Sequence, residues 1–138
     1  MKNMHFNRKL PVPKEIKEQY PLTASLSKIK EARDLEIADI FTGKSNKLVL
    51  IIGPCSADRE DAVLDYCERL ATLQEKVSDK LLLIPRVYTN KPRTTGEGYK
   101  GLLHQPDPEQ KEAPLEGVIA IRRLHTTGHA ITGQSPAY

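Results

Sequence analysis

Leu48-Val49-Leu50-Ile51-Ile52-Gly53-Pro54-Cys55-Ser56 is the stretch on which the reading of this 138-residue chain turns. Five apolar residues in a row leave no polar face, which suits a strand buried on both sides better than an exposed hairpin strand. Gly53-Pro54 then closes the run. Immediately downstream, Val63, Cys67, Leu70, Leu73 and Val77 recur every three or four residues and predict an amphipathic helix over 58–77. Asp58, Glu60 and Asp61 fall in its first turn, where carboxylates complement the helix dipole, with Asp58 as the expected N-cap. A second apolar run, Leu81-Leu82-Leu83-Ile84, is ended by Pro85, whose missing amide should interrupt ladder pairing and release Arg86-Val87-Tyr88 at the strand's C-terminal edge. Strand, crossover helix and strand make a right-handed βαβ unit and therefore a parallel α/β sheet.

Working outward, Leu26, Ile29, Ile37, Ile40 and Phe41 lie at helical spacing between charges, with Gly43 as the stop, so an amphipathic helix is expected ahead of the first strand. Before Pro21 the chain is basic and prolyl, with only a brief helical hint at Glu15-Ile16-Lys17-Glu18, and reads as an arm. On the other side, residues 89–113 read as a long loop rich in Lys, Pro, Gly and Asp, and such loops inside compact domains are usually functional or disordered. Pro114 suits the first turn of a further helix carrying Leu115, Val118, Ile119, Ile121 and Leu124. The expected division is an arm and amphipathic helix over 1–47 and two βα units over 48–138.

Composition bounds what this can be. At this length burial on folding approaches ~70%, enough for one core and too little for two ordinary domains. A net charge of +3 with interleaved acids and bases does not call for nucleic acid or an anionic membrane. No apolar run nears the ~20 residues that span a bilayer, and the N-terminus lacks a signal-peptide core, so a cytoplasmic location is expected. Cys55 and Cys67 lack Cys-x-x-Cys spacing, and two cysteines make no disulfide framework.

Two groups could carry chemistry. Cys55 stands just past a strand end and before a helix N-terminus, where a thiolate is favoured and could ligate a transition metal or act as a nucleophile; the alternative is a small buried hydrophobe, the reading that fits Cys67 on its helix face. Arg86, Lys91, Arg93 and Lys100 crowd one strand end and its loop, with Thr94 and Thr95 adding hydroxyls, which suits a phosphate site or a solvated basic loop. Gly96, Gly98 and Gly101 lack the strand-to-helix context of a dinucleotide motif. His125 and His129, four apart, could form a metal pair, although Gly128 weakens that helix and no third ligand is evident. No serine-triad elbow, P-loop or HExxH is present.

Leu50-Ile51-Ile52-Gly53-Pro54-Cys55-Ser56, Arg86-Val87-Tyr88-Thr89-Asn90-Lys91-Pro92-Arg93-Thr94-Thr95-Gly96 and Gly98-Tyr99-Lys100-Gly101-Leu102 together closely resemble the class I 3-deoxy-D-arabino-heptulosonate 7-phosphate (DAHP) synthases. The resemblance implies a TIM (β/α)8 barrel, of which this chain would hold an N-terminal helical extension and the first two βα units. It implies condensation of phosphoenolpyruvate with erythrose 4-phosphate, the first step of the shikimate pathway to aromatic amino acids. It also implies a divalent metal (manganese, iron, cobalt or zinc), a homo-oligomer and feedback by aromatic amino acids. By the resemblance Cys55 is a metal ligand, Arg86 and Lys91 serve phosphoenolpyruvate, and Arg93 and Thr94 hold the phosphate of erythrose 4-phosphate. Lys91 is the expected proton donor. The stretch from Thr126 to Tyr138 fits the family poorly, and the family's later metal and phosphate ligands have no counterparts here. The 138 residues alone are therefore expected to be inactive, and a noncatalytic phosphate-binding or subunit-interaction role is the alternative.

Overall fold

The computed structural model describes residues 8–91 and 97–137. The N-terminal stretch is more than an arm. Helix α1 (Pro13–Gln19) starts on a proline, and the Glu15 carboxylate accepts the Val12 amide at 3.0 Å, closing the first turn. Ile16 is buried, and the segment is tied to the last helix of the chain by Arg8 to Glu116 (3.3 Å) and by Arg122 Nε donating to the Tyr20 carbonyl (2.9 Å). Buried Ile16 and the Arg122 to Tyr20 bond hold a segment that composition alone read as loose, while the exposed Arg8–Glu116 pair adds little.

Helix α2 (Ala24–Phe41) begins where the Thr23 hydroxyl accepts the Leu26 amide and ends before Gly43, whose φ of +76° is the left-handed exit that glycine adopts without strain. Its expected apolar face is only partly covered. None of its residues is buried, Leu26, Ile29, Ile37 and Ile40 are half-buried, and Phe41 is 78% exposed. The helix is held mainly by polar links: His129 Nε2 to the Leu26 carbonyl (3.0 Å), Arg33 Nε to the Gly133 carbonyl (2.9 Å), and Glu36 bridging Arg33 and Lys47. Burial pushes the Glu36 carboxyl up, but its two cations outweigh that and hold it below the ordinary value.

Strands β1 (Leu48–Ile52) and β2 (Leu81–Pro85) pair in parallel, Leu48 opposite Leu81 through Ile52 opposite Pro85. The expectation of burial on both faces holds for β2 and fails for β1. Leu82, Leu83, Ile84 and Pro85 are buried, whereas Leu48 is 68% and Ile51 54% exposed, with Leu50 and Ile52 also exposed. The cause is position: among the described residues β1 is the sheet edge, with β2 as its one ladder neighbour.

Pro85 does not end the ladder either. The Arg86 amide continues it by donating to the Ile52 carbonyl at 2.8 Å, while the Pro85 carbonyl and Val87 amide face the far edge and bond Ala137. Since amide direction alternates along a strand, the donor that Pro85 lacks belongs to that far edge and costs β1 nothing. Nearer the start of β2 the same far edge is satisfied by Gln74, whose side chain donates to the Leu81 carbonyl (2.9 Å) and accepts the Leu83 amide (2.7 Å).

Helix α3 (Glu60–Val77) buries Val63, Cys67 and Leu70, while Leu73 is exposed. Its N-cap is Arg59 rather than Asp58; the Arg59 guanidinium grips Asp61, whose carboxylate also accepts the Ala62 amide, so the helix begins one residue later than the acids suggest. Helix α4 (Pro114–Thr132) runs straight through Gly128 and stops at Gly133. Gly128 faces α3 and the chain's end, where a Cβ would stand 3.7 Å from Cys67 Sγ and 3.4 Å from Pro136 Cγ, at ordinary contact distance. Ala57, Val63, Cys67, Val87, Leu102 and Leu124 form the core between these helices and the strand ends.

Candidate active site at the strand ends

The loops leaving β1 and β2 are locked together by backbone. An ideal Cβ on Gly53 would stand 2.0 Å from the Arg86 carbonyl oxygen, so only glycine lets the two chains pass there. Two residues beyond Cys55, the fully buried Ala57 donates its amide to the Tyr88 carbonyl at 2.9 Å. Cys55 is thereby presented, exposed, beside the residues that follow β2.

Those residues converge on it. Lys91 Nζ donates to Cys55 Sγ at 2.9 Å, and Arg86 Nη1 reaches the Pro54 carbonyl at 3.5 Å. The Arg86 guanidinium lies 4.2 Å from the centre of the Tyr88 ring and Lys91 Nζ 6.0 Å from it, both within cation–π range. Residues after β2 are shaped by the Lys91 amide donating to the Lys100 carbonyl (2.8 Å) and the Leu103 amide to the Thr89 carbonyl (3.0 Å). Gly101, at φ +104°, allows that turn, where a Cβ would meet the Thr89 carbonyl oxygen at 2.4 Å. Thus Cys55, Arg86 and Lys91 share one mouth at the C-terminal ends of the strands. Arg93 and Thr94 lie outside the described residues.

Lys100 does not join them. Its ammonium pairs with Glu112 at 2.9 Å, and this contact holds the Glu112 carboxyl below its ordinary value. The two histidines of α4 also serve elsewhere, His129 tying α2 as described, and His125 lying beside Arg122 with Nε2 buried and unpartnered among the described residues. Burial, then the nearby Arg122 charge, push the His125 imidazole below its ordinary value. Tyr88 is the residue that sequence reading missed, although its signal was there: Arg86 and Tyr88, two apart at a strand exit, project to one side.

The donor set does not make a metal centre. Among the described residues no three of His, Cys, Asp or Glu stand together, and one neighbour of the Cys55 sulfur is the Lys91 ammonium. One cysteine sulfur falls short of the about three protein ligands of a catalytic site.

Against known families, the chain matches the model described as the DAHP synthetase I family over residues 16–115. The chain belongs to the DAHP synthetase I family. It is 44% identical over 99 residues to the phenylalanine-inhibited phospho-2-dehydro-3-deoxyheptonate aldolase of Saccharomyces cerevisiae, covering 71% of this chain and 26% of that protein. To the Corynebacterium glutamicum aldolase of the same name it is 38% identical over 116 residues, 83% of this chain and 31% of the relative. Its fold is similar to the structure of phospho-2-dehydro-3-deoxyheptonate aldolase from Francisella tularensis, with a TM-score of 0.83 and 27% identity, covering 96% of this chain and 38% of that one. The chain thus spans about a third of the length of these DAHP synthase relatives, as a partial α/β fold with two parallel strands.

Proposed function

We propose that this chain supplies the first two βα units of a (β/α)8 barrel and, with them, one side of the site at which phosphoenolpyruvate condenses with erythrose 4-phosphate. The observation that carries the reading is the 2.9 Å approach of Lys91 to Cys55 across the C-terminal ends of parallel strands, in a chain of DAHP synthase sequence. Barrel active sites lie at that end of the strands. The exposed apolar side chains of β1 support the larger architecture: Leu48, Leu50 and Ile52 on one face and Ile51 on the other are partly uncovered, and covering the remainder would contribute roughly 1 kcal/mol per side chain, which a completed barrel would gain.

In this reading Arg86 and Lys91 offset the charge of phosphoenolpyruvate, Arg by a forked pair of N–H donors and Lys as a compact point charge. As C3 of phosphoenolpyruvate bonds to the aldehyde carbon of erythrose 4-phosphate, Lys91 Nζ gives a proton to the oxygen that develops charge, and phosphate is released later from the former enol carbon when water adds there. Arg93 and Thr94 take the phosphate of the aldehyde substrate. Cys55 would be one ligand of the divalent metal that the resemblance implies, which would polarise the aldehyde, and the described residues supply no set of three ligands to complete its coordination. Titration calorimetry of the 138-residue chain with phosphoenolpyruvate tests the reading: Lys91→Ala should weaken binding by about tenfold. Equal affinity of the wild type and Lys91→Ala would contradict it.

A further inference from the structure

We propose that Tyr88 is a positioning residue whose ring holds the Arg86 guanidinium and the Lys91 ammonium at the spacing in which they receive an anionic substrate. The proposal deepens the phosphoenolpyruvate reading above and rests on it for the identity of that substrate. Its geometry is independent of it.

The backbone around these residues is fixed and their cationic ends are not. Val87 and Thr89 are buried, Arg86 continues the β1 ladder, and the Lys91 amide is bonded to Lys100, so the main chain from 86 to 91 has little freedom. Arg and Lys heads, however, stand on long side chains with many rotamers, and two like charges entering one mouth repel each other. Something must gather them. Several other described cations are held by carboxylates, as Lys100 is by Glu112 and Arg59 by Asp61. Arg86 and Lys91 instead meet the Tyr88 ring, with the Pro54 carbonyl and the Cys55 sulfur as their other contacts.

The difference matters for binding. A carboxylate would cancel the positive charge and compete with the ligand for the same N–H donors. An aromatic face attracts a cation through its quadrupole while carrying no net charge, so the held cations remain attractive to an anion. Tyr88 is also well anchored for this task, because its carbonyl accepts the Ala57 amide and so joins the ring's position to the Cys55 loop. That backbone bond survives any change of side chain, and the ring's contribution can be removed alone.

The test compares the wild-type chain with Tyr88→Leu and Tyr88→Phe. In the free protein, proton NMR should find the Arg86 δ and Lys91 ε methylenes shifted by the ring current in the wild type and in Tyr88→Phe, and released in Tyr88→Leu. Titration with phosphoenolpyruvate should show Tyr88→Leu binding about five- to tenfold more weakly and Tyr88→Phe, which keeps the ring face, restoring affinity. Unshifted methylenes in the wild type would overturn the proposal whether or not the leucine variant folds. So would Tyr88→Leu binding as tightly as wild type with the Ala57 amide still protected from exchange. Ring-current shifts in a wild-type protein that binds no phosphoenolpyruvate would sink the substrate reading while supporting the ring's hold on the two cations.

Discussion

At the scale of single residues, the partners of each charge decide what it can do. Lys91 and Lys100 looked alike in the sequence, both basic and both in the loop after β2, yet one reaches Cys55 and the other is taken up by Glu112. Nothing in local composition separates them, because Glu112 lies beyond a turn set by Gly101 and the Leu103 to Thr89 bond. Cys55 was legible for a different reason: a cysteine directly after a strand-closing Gly-Pro can only sit at the strand's exit. His125 gives a residue-scale consequence. Its folded pKa lies below the ordinary 6.5, so the unfolded chain binds its proton more readily. Stability should be fully present above about pH 6.5, decline as pH falls toward the folded pKa, and level off below it. We expect urea unfolding midpoints to show that acid decline, and His125→Gln to flatten it; an unchanged profile in the variant would assign the slope to other groups.

Among the elements, β1, α3 and β2 were legible because apolar runs and three-to-four spacing report local geometry directly. The burial of β1 was not, since an apolar run states a strand's preference for cover while the cover itself comes from other parts of the fold. The same limit applies to α2, whose spacing was right and whose neighbours reach it mostly through hydrogen bonds. Pro85 was misread because a proline spoils a ladder only on the edge its amide would face. Two substitutions probe how the elements are joined. Gly53→Ala forces a Cβ into the Arg86 carbonyl and should cost about 1–3 kcal/mol or more, read as a lowered urea midpoint. Gln74→Ala removes both side-chain partners of β2's far edge, leaving the Leu81 carbonyl and Leu83 amide wanting, and should cost about 1–3 kcal/mol by the same measurement.

For the whole molecule, the two halves of the site are brought together by a parallel pair of strands, while the sheet that would complete the mouth is not contained in the described residues. A single sulfur donor among the described residues of the mouth and the exposed apolar side chains of β1 both point to the same consequence. Supplied with phosphoenolpyruvate, erythrose 4-phosphate and manganese, the 138-residue chain should form no DAHP above background, and steady metal-dependent product formation would show that these residues suffice. The central claim is narrower, that Cys55, Arg86 and Lys91 form one anion-receiving mouth. Amide NMR during titration with phosphoenolpyruvate tests it most directly. Shifts concentrated at residues 53–57 and 86–91 are the expected result; shifts confined to α1 and α4, or none at either strand exit, would contradict it.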